Sequence, residues 1–262
     1  MIGFIGGGNM AEALIRGMTS RGSRGIIVSE PETDKRERLR SAYGITVTSS
    51  NREVVDTSQV IILAVKPQVL PAILDEIGDA VSEDQTVVSI AAGVPLSYLS
   101  SRVRTRKLVR VMPNTPAIVQ EGMSVLSLCE CFSDKDIAIV RDIFMSVGKV
   151  LTLPEKYQNA VTALSGSGPA FIALFVEALI ESGVSMGLGE DAARELAVQT
   201  TLGTAKLLDN GMPPARLREM VTSPGGTTAA GLRVFGELGF RECVKSALGA
   251  ALRRAEELGR RD

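Results

Sequence analysis

The first half of the chain alternates short apolar, β-branched runs with stretches of helical period. Ile2–Ile5, Ile26–Ser29, Ile45–Thr48, Val60–Val65, Thr86–Ile90 and Leu108–Met112 read as strands. Between the first two, Met10, Ala13, Leu14, Gly17 and Met18 recur at helical spacing and predict one amphipathic crossover helix. Strands alternating with helices predict a mostly parallel sheet flanked by helices, an α/β architecture. From about Glu155 onward strand signals vanish. Ala- and Leu-rich helical patterns run on, separated by Gly187-Leu188-Gly189, Asn210-Gly211-Met212-Pro213-Pro214 and Ser223–Thr228. The expected boundary lies at Thr152–Glu155, dividing the chain into residues 1–153 and an all-helical segment 154–262.

Gly6-x-Gly8-x-x-Ala11 gives the first domain a chemistry. Glycine triplets alone are common, but this one follows a strand, opens a helix and leads within a βαβ length to a second strand ending at Ser29-Glu30. That is the context of a Rossmann dinucleotide-binding domain. Gly6 permits the tight turn, Gly8 lets a pyrophosphate approach the backbone, and Ala11 allows helix and strand to pack closely. Glu30 lies where an acidic residue accepts hydrogen bonds from an adenosine ribose, which favours NAD and repels a 2′-phosphate. Lys35 and Arg36 follow closely and offer such a phosphate a partner, so NAD and NADP both stay open. Ala64-Val65-Lys66-Pro67 and Ala91-Ala92-Gly93 end the fourth and fifth strands, bordering the crevice where ligands lie in such sheets. Lys66 is either a ligand contact or a surface lysine, and Asn51 either caps the next helix or touches the adenosine side of the cofactor.

The second candidate site is Ser223-Pro224-Gly225-Gly226-Thr227-Thr228. It combines a backbone free to turn, hydroxyls and the unpaired amides of a helix start, the makings of a cradle for a carboxylate or phosphate. Two anion sites at opposite ends of one sequence suggest a cofactor brought to a small acidic substrate. Met112-Pro113-Asn114-Thr115-Pro116 reads as a stiff, extended turn. Ala163–Ala170 reads either as a structural break in a helical stretch, with Ser167 available to cap the helix that Pro169 begins, or as a direct ligand contact.

Composition prunes the alternatives. Of 262 residues, 45% are hydrophobic and 23% charged, as in a soluble globular protein, and the formal net charge of -1 offers no field to hold nucleic acid. Cys129, Cys131 and Cys243 form no disulfide framework; the first two read as ordinary strand residues, and a reducing cytoplasm is the expected compartment. Met1–Ile5 reads as a strand with no charged region ahead of an apolar signal segment. The longest apolar stretch, Phe171–Ile180, contains Glu177 and falls short of a membrane span, which needs roughly 20 residues. The nearly all-apolar helix from Ala170 to Ile180 must be covered on every face, which predicts dimerisation of the helical half. There is no histidine, so a His general base, a Ser-His-Asp triad and His-ligated metal are excluded in their usual forms. A nicotinamide enzyme so equipped suits a substrate that arrives protonated, and an iminium carbon fits because hydride adds to it without a simultaneous proton transfer.

The motifs Ala64-Val65-Lys66-Pro67, Ala91-Ala92-Gly93, Met112–Pro116, Leu164–Ala170 and Ser223–Thr228, taken in this order with the glycine-rich opening, resemble the pyrroline-5-carboxylate reductases over nearly the whole length. The resemblance implies a Rossmann domain followed by an all-α dimerisation domain that interleaves with its partner, in dimers that assemble further. It implies reduction of 1-pyrroline-5-carboxylate to L-proline, the last step of proline biosynthesis, with NADPH or NADH as hydride donor. By the same carry-over, Ile5, Gly6, Gly7, Gly8, Asn9 and Met10, with Asn51, Ala64–Pro67 and Ala91–Gly93, line the cofactor. Ser223, Gly225 and Gly226 hold the substrate carboxylate with the threonines, and Thr228 or Thr227 hydrogen-bonds the ring nitrogen. Relatives that favour NADP often carry Ser or an Asn-Arg pair where this chain has Glu30. A β-hydroxyacid or ketopantoate dehydrogenase shares the two-domain plan but needs a lysine near the hydride acceptor, for which Lys206 is the interior candidate. A dinucleotide-sensing module would leave the Ser223 run without a role.

Overall fold

A computed structural model describes residues 1–129, 132 and 134–259. The first half builds a single eight-stranded sheet. Its elements are β1 (Ile2–Ile5), α1 (Asn9–Ser20), β2 (Ile26–Ser29), α2 (Thr33–Tyr43), β3 (Thr46–Thr48), α3 (Asn51–Thr57), β4 (Val60–Leu63), α4 (Leu70–Ile77), β5 (Thr86–Ser89), α5 (Leu96–Ser100) and β6 (Leu108–Met112). A 3-10 turn over Thr115–Val119 leads to β7 (Gly122–Leu128), α6 (Asp134–Met145) and β8 (Gly148–Thr152).

The strand order is β3-β2-β1-β4-β5-β6-β7-β8, parallel throughout except where β6 meets β7. Chain direction across the sheet reverses between β1 and β4, which places the ligand crevice at the carboxyl ends of those strands. The register aligns these ends: Ile5 pairs with Ser29 on one side and Leu63 on the other, and Leu63 pairs with Ser89. Alternation along the strands feeds two cores. Phe4, Val28, Ile62 and Val88 pack with Leu14, Ile15 and Met18 of α1 and Phe144 of α6 on one face. Ile27, Ile61, Leu63 and Val87 pack with Val54 and Val55 of α3 and Leu70, Leu74 and Ile77 of α4 on the other.

The six predicted strands are present, and two further ones were not predicted. β7 and β8 lack the uninterrupted apolar run of a strand buried on both faces. Ser124 and Ser127 of β7 are buried all the same, and Ser127 donates through Oγ to Leu153 O at 2.7 Å. The predicted ends also run long: β4 stops at Leu63 and β5 at Ser89, where the chain turns away over the crevice. Cys129 is no strand residue; it follows β7 with its thiol on the Arg106 carbonyl, and Cys131 lies outside the described residues.

After β8 a 3-10 turn (Glu155–Tyr157), α7 (Gln158–Val161) and a π-helical turn (Thr162–Gly166) run into α8 (Gly168–Ser185). Then come α9 (Glu190–Asp209), α10 (Pro214–Met220), α11 (Thr227–Glu237) and α12 (Phe240–Gly259). The expected break at 163–170 is therefore a widened helical turn. Ser167 does not cap α8; its N–H closes an i-to-i+5 bond on Thr162 O at 2.9 Å, and its hydroxyl also points to that carbonyl. Continuity corrects the length argument above: Glu155–Ser185 is a helical stretch of 31 residues holding an 18-residue window of mean hydropathy 1.7, long and apolar enough to cross a membrane by length and composition alone.

The chain resolves into two compact units, residues 1–167 with 251–262, and residues 168–250. In the helical unit Phe240 packs against Phe175 and Phe235, with ring centroids 6.3 and 5.1 Å away, while Ile172 and Leu174 of α8 stay 56% and 65% exposed.

Candidate active site

β1 ends on the buried Ile5 and the chain turns through Gly6, Gly7 and Gly8 into α1. Gly6 adopts φ +97°, and a Cβ there would lie 2.7 Å from the Ala64 carbonyl, so neither the conformation nor the space admits a side chain. Gly6 N–H donates to Ser29 O at 2.9 Å, tying the turn to β2. Gly8 is the N-cap of α1 in ordinary extended geometry, with φ -73° and ψ 179°; no side chain caps the helix, and an added Cβ would meet nothing within 4 Å. Open space in front of the uncapped amides of Asn9, Met10 and Ala11 is what a pyrophosphate requires. The residues present therefore fit a dinucleotide.

Glu30 is only 6% exposed at the end of β2, with Oε2 accepting from Gly7 N–H at 3.0 Å and Oε1 from Glu32 N–H at 3.1 Å. Asn51 does not cap α3; Ser50 does, accepting from Glu53 N–H at 3.2 Å. The Asn51 amide instead accepts from Ser29 Oγ at 2.6 Å and donates to Glu76 at 2.8 Å. Both residues thus stand beside the glycine turn. Across the crevice, Ala64, Val65 and Pro67 are half-buried and Lys66 is exposed beyond β4, while Ala91 is buried and Ala92 and Gly93 are half-buried beyond β5. A cleft of about 370 Å³ opens here, bordered by Pro67, Gln68, Ala92, Gly93, Tyr98 and Leu258. A Cβ on Gly93 would approach the Leu258 backbone to 3.2 Å, so the end of α12 closes one side of it.

Met112–Pro116 and Leu164–Ala170 meet, which spacing alone did not reveal. Asn114 Nδ2 donates to the carbonyl and the hydroxyl of Ser165, both at 3.2 Å, while its Oδ1 accepts from Met123 N–H at 2.8 Å. Asn114 thereby pins the π-helical turn against the sheet. Sequence reasoning also missed the Arg110–Glu155 pair: Glu155 Oε1 accepts from Arg110 Nη1 at 3.1 Å and from Leu96 N–H at 2.8 Å.

In the helical unit, Ser223-Pro224-Gly225-Gly226 forms a tight turn closed by Gly226 N–H on Ser223 O at 3.0 Å, with Gly225 at φ +70°. Pro at the second position and a left-handed glycine at the third are a type II turn. Gly226 is the N-cap of α11, again without a side-chain cap or an acidic residue in the first turn, and a Cβ on it would strike Ser223 Oγ at 2.4 Å. Thr227 and Thr228 are the first two helical residues, one exposed and one half-buried. The turn therefore presents amides and hydroxyls together at a helix start. Lys206 sits exposed in the last turn of α9.

Comparison with known proteins agrees with both halves. Residues 155–258 match the family described as pyrroline-5-carboxylate reductase dimerisation, and residues 1–93 match that described as NADP oxidoreductase, coenzyme F420-dependent. The pyrroline-5-carboxylate reductase of Synechocystis is 41% identical, covering 99% of this chain and 98% of its own. That of Arabidopsis thaliana is 42% identical, covering 98% and 95%. The chain belongs to the pyrroline-5-carboxylate reductase family. Among solved structures, the Coxiella burnetii reductase aligns with TM-score 0.94 at 36% identity, covering 99% of this chain and 98% of that one. The Plasmodium falciparum pyrroline carboxylate reductase with NADP bound aligns with TM-score 0.87 at 30% identity, covering 98% and 97%.

Within this reductase family, then, the N-terminal sheet is the NAD(P)-binding half and the helical half carries the dimerisation domain. In the single chain, Ile172 and Leu174 of α8 leave apolar side chains exposed within that domain.

Proposed function

We propose that the protein reduces 1-pyrroline-5-carboxylate to L-proline, with the glycine turn at β1 holding the dinucleotide and the Ser223 turn holding the substrate. The observation that carries this is a pair of glycine-led, uncapped helix starts, at α1 and α11, in a chain about 40% identical to reductases of that name along its whole length. Residues 1–153 serve as the dinucleotide domain and 154–262 as the dimerisation and substrate domain.

The bound dinucleotide supplies the hydride. The chain's own residues position: amides of α1 hold the pyrophosphate, Ala64–Pro67 and Ala91–Gly93 border the nicotinamide, and amides at Gly226 and Thr227 hold the substrate carboxylate with Ser223 and Gly225. The hydroxyl of Thr228 or Thr227 hydrogen-bonds the ring nitrogen. Hydride adds to the carbon of a protonated C=N bond and the π pair returns to nitrogen, leaving a neutral secondary amine. No general acid is needed, which accords with a chain lacking histidine.

The apolar face of α8 supports a homodimer with interleaved helices, in which the Ser223 turn of one subunit serves the dinucleotide of the other, and dimers assemble into larger rings. The same pairing would cover the apolar stretch 155–185 without a membrane, in a cytoplasmic enzyme. The test is oxidation of NADH and NADPH followed with 1-pyrroline-5-carboxylate. Thr227→Ala combined with Thr228→Ala is expected to lower kcat at least about a hundredfold while dinucleotide affinity stays within about twofold. Unchanged turnover would refute the assignment of the α11 start to substrate.

A further inference from the structure

The adenosine end of the dinucleotide site is built around a carboxylate held in place. Glu30 is fixed by two backbone N–H donors, Gly7 at 3.0 Å and Glu32 at 3.1 Å, one on each carboxylate oxygen. Each oxygen keeps a further lone pair with which to accept from a hydroxyl. The carboxylate packs directly over the glycine turn, since a Cβ on Gly7 would lie 3.2 Å from Glu30 Oε2 and 2.9 Å from Leu39 Cδ1. The carboxylate is therefore part of the turn that binds the pyrophosphate, not a surface acid free to swing away.

The cations that follow are already engaged. Lys35 pairs with Glu32 at 2.6 Å, and Arg38 pairs with Glu12 at 2.7 Å. Arg36 Nη1 donates to the carbonyls of Glu30 at 2.6 Å and Pro31 at 2.8 Å, and its Nη2 to Thr33 Oγ1 at 3.0 Å. Arg36 folded this way closes the loop after β2 and would surrender three acceptors to reach a phosphate. On the α3 side, Asn51 carries the second carboxylate, Glu76, at 2.8 Å. The ribose end thus offers oxygen acceptors suited to a 2′,3′-diol and an electrostatic field opposed to a 2′-phosphate dianion.

We infer that Glu30 makes this reductase selective for NADH over NADPH, an assignment that rests on the dinucleotide site proposed above. The selectivity comes from a fixed negative charge facing the position of the extra phosphate, with Arg36 folded onto the loop after β2 and Lys35 and Arg38 paired with the carboxylates of Glu32 and Glu12.

The test is equilibrium titration of the intact protein with NADH and with NADPH separately, by calorimetry because the chain has no tryptophan to report binding. The wild-type protein is expected to bind NADH at least about tenfold more tightly than NADPH. Glu30→Gln keeps the size of the side chain and an acceptor for Gly7 N–H while removing the charge, and Glu30→Ser removes the carboxylate altogether. Both are expected to move the NADPH-to-NADH ratio of Kd at least about tenfold toward NADPH, whereas Arg36→Ala leaves it within about twofold. Tighter or equal binding of NADPH by the wild type, or a ratio unmoved in both Glu30 variants, would overturn the inference. So would a selective loss of NADPH binding in Arg36→Ala. Turnover of 1-pyrroline-5-carboxylate is measured in parallel: failure to reduce the imine with either dinucleotide sinks the proposed activity and leaves the binding ratio to judge Glu30.

Discussion

Gly8 separates the demands of folding from those of binding, and Gly8→Val exploits the difference. Its φ of -73° lies where any residue is at ease, and a Cβ there meets nothing within 4 Å, so the ligand-free protein should tolerate the change. At a helix N-cap the loss relative to glycine is about 1 kcal/mol or less, roughly 2–4 °C in Tm for a chain of this size. The dinucleotide meets a different surface. The valine fills the space in front of the amides of Asn9, Met10 and Ala11, and each hydrogen bond to a charged phosphate contributes about 1.5–3 kcal/mol. Losing one or two of them costs about 3 kcal/mol, or roughly a hundredfold in Kd. Gly6→Ala is the counterpart, because its φ of +97° and the Ala64 carbonyl at 2.7 Å burden the folded state itself. It should lower stability by about 2 kcal/mol without ligand. Calorimetric titration and ligand-free thermal melts read the two effects separately. Undiminished dinucleotide binding by Gly8→Val would refute the account of this turn.

Three further outcomes are expected. Glu155→Ala strands the buried Arg110; because Glu155 is about one-third exposed and water screens part of the pair, the loss is about 2 kcal/mol, and Arg110→Met with Glu155→Leu should recover most of it in denaturant melts. Burial, and then the hydrogen bond to Glu12, hold the Tyr43 phenol above its usual pKa. The folded state therefore favours the protonated phenol, so this contribution is complete below about pH 10 and lost as pH rises through the folded pKa; urea midpoints should fall less steeply above about pH 10 in Tyr43→Phe than in the wild type. Leu174→Glu places a charge on the 65% exposed apolar face of α8 and should yield monomers in sedimentation velocity, with a dimer at unchanged concentration dependence counting against that face as the contact.

What the sequence revealed follows from the range of the forces involved. The β1 turn was legible because a strand, three glycines and a helix start are consecutive, and each local preference points to the same backbone. The inner strands were legible because burial on both faces demands unbroken apolar runs. β7 and β8 carry serines, a lysine and threonine, since partners such as the Leu153 carbonyl satisfy the buried hydroxyls, and such runs look like loops until the partners are known. The π-helical turn was hidden for a similar reason: Gly and Ser at 165–168 signal a break, and the Asn114 side chain, 51 residues away, bonds Ser165 within it. Asn51 shows the limit within the site itself. Its position at the start of α3 suggested a cap, but Ser50 occupies that role, and the links to Ser29 and Glu76 span 22 and 25 residues.

Transfer of a labelled hydride tests the central claim most directly. With dinucleotide carrying deuterium at the transferable position of the nicotinamide and 1-pyrroline-5-carboxylate as acceptor, mass spectrometry should find proline with one deuterium, on the ring carbon formerly double-bonded to nitrogen. Proline without the label, or no proline while the dinucleotide binds normally, would contradict it.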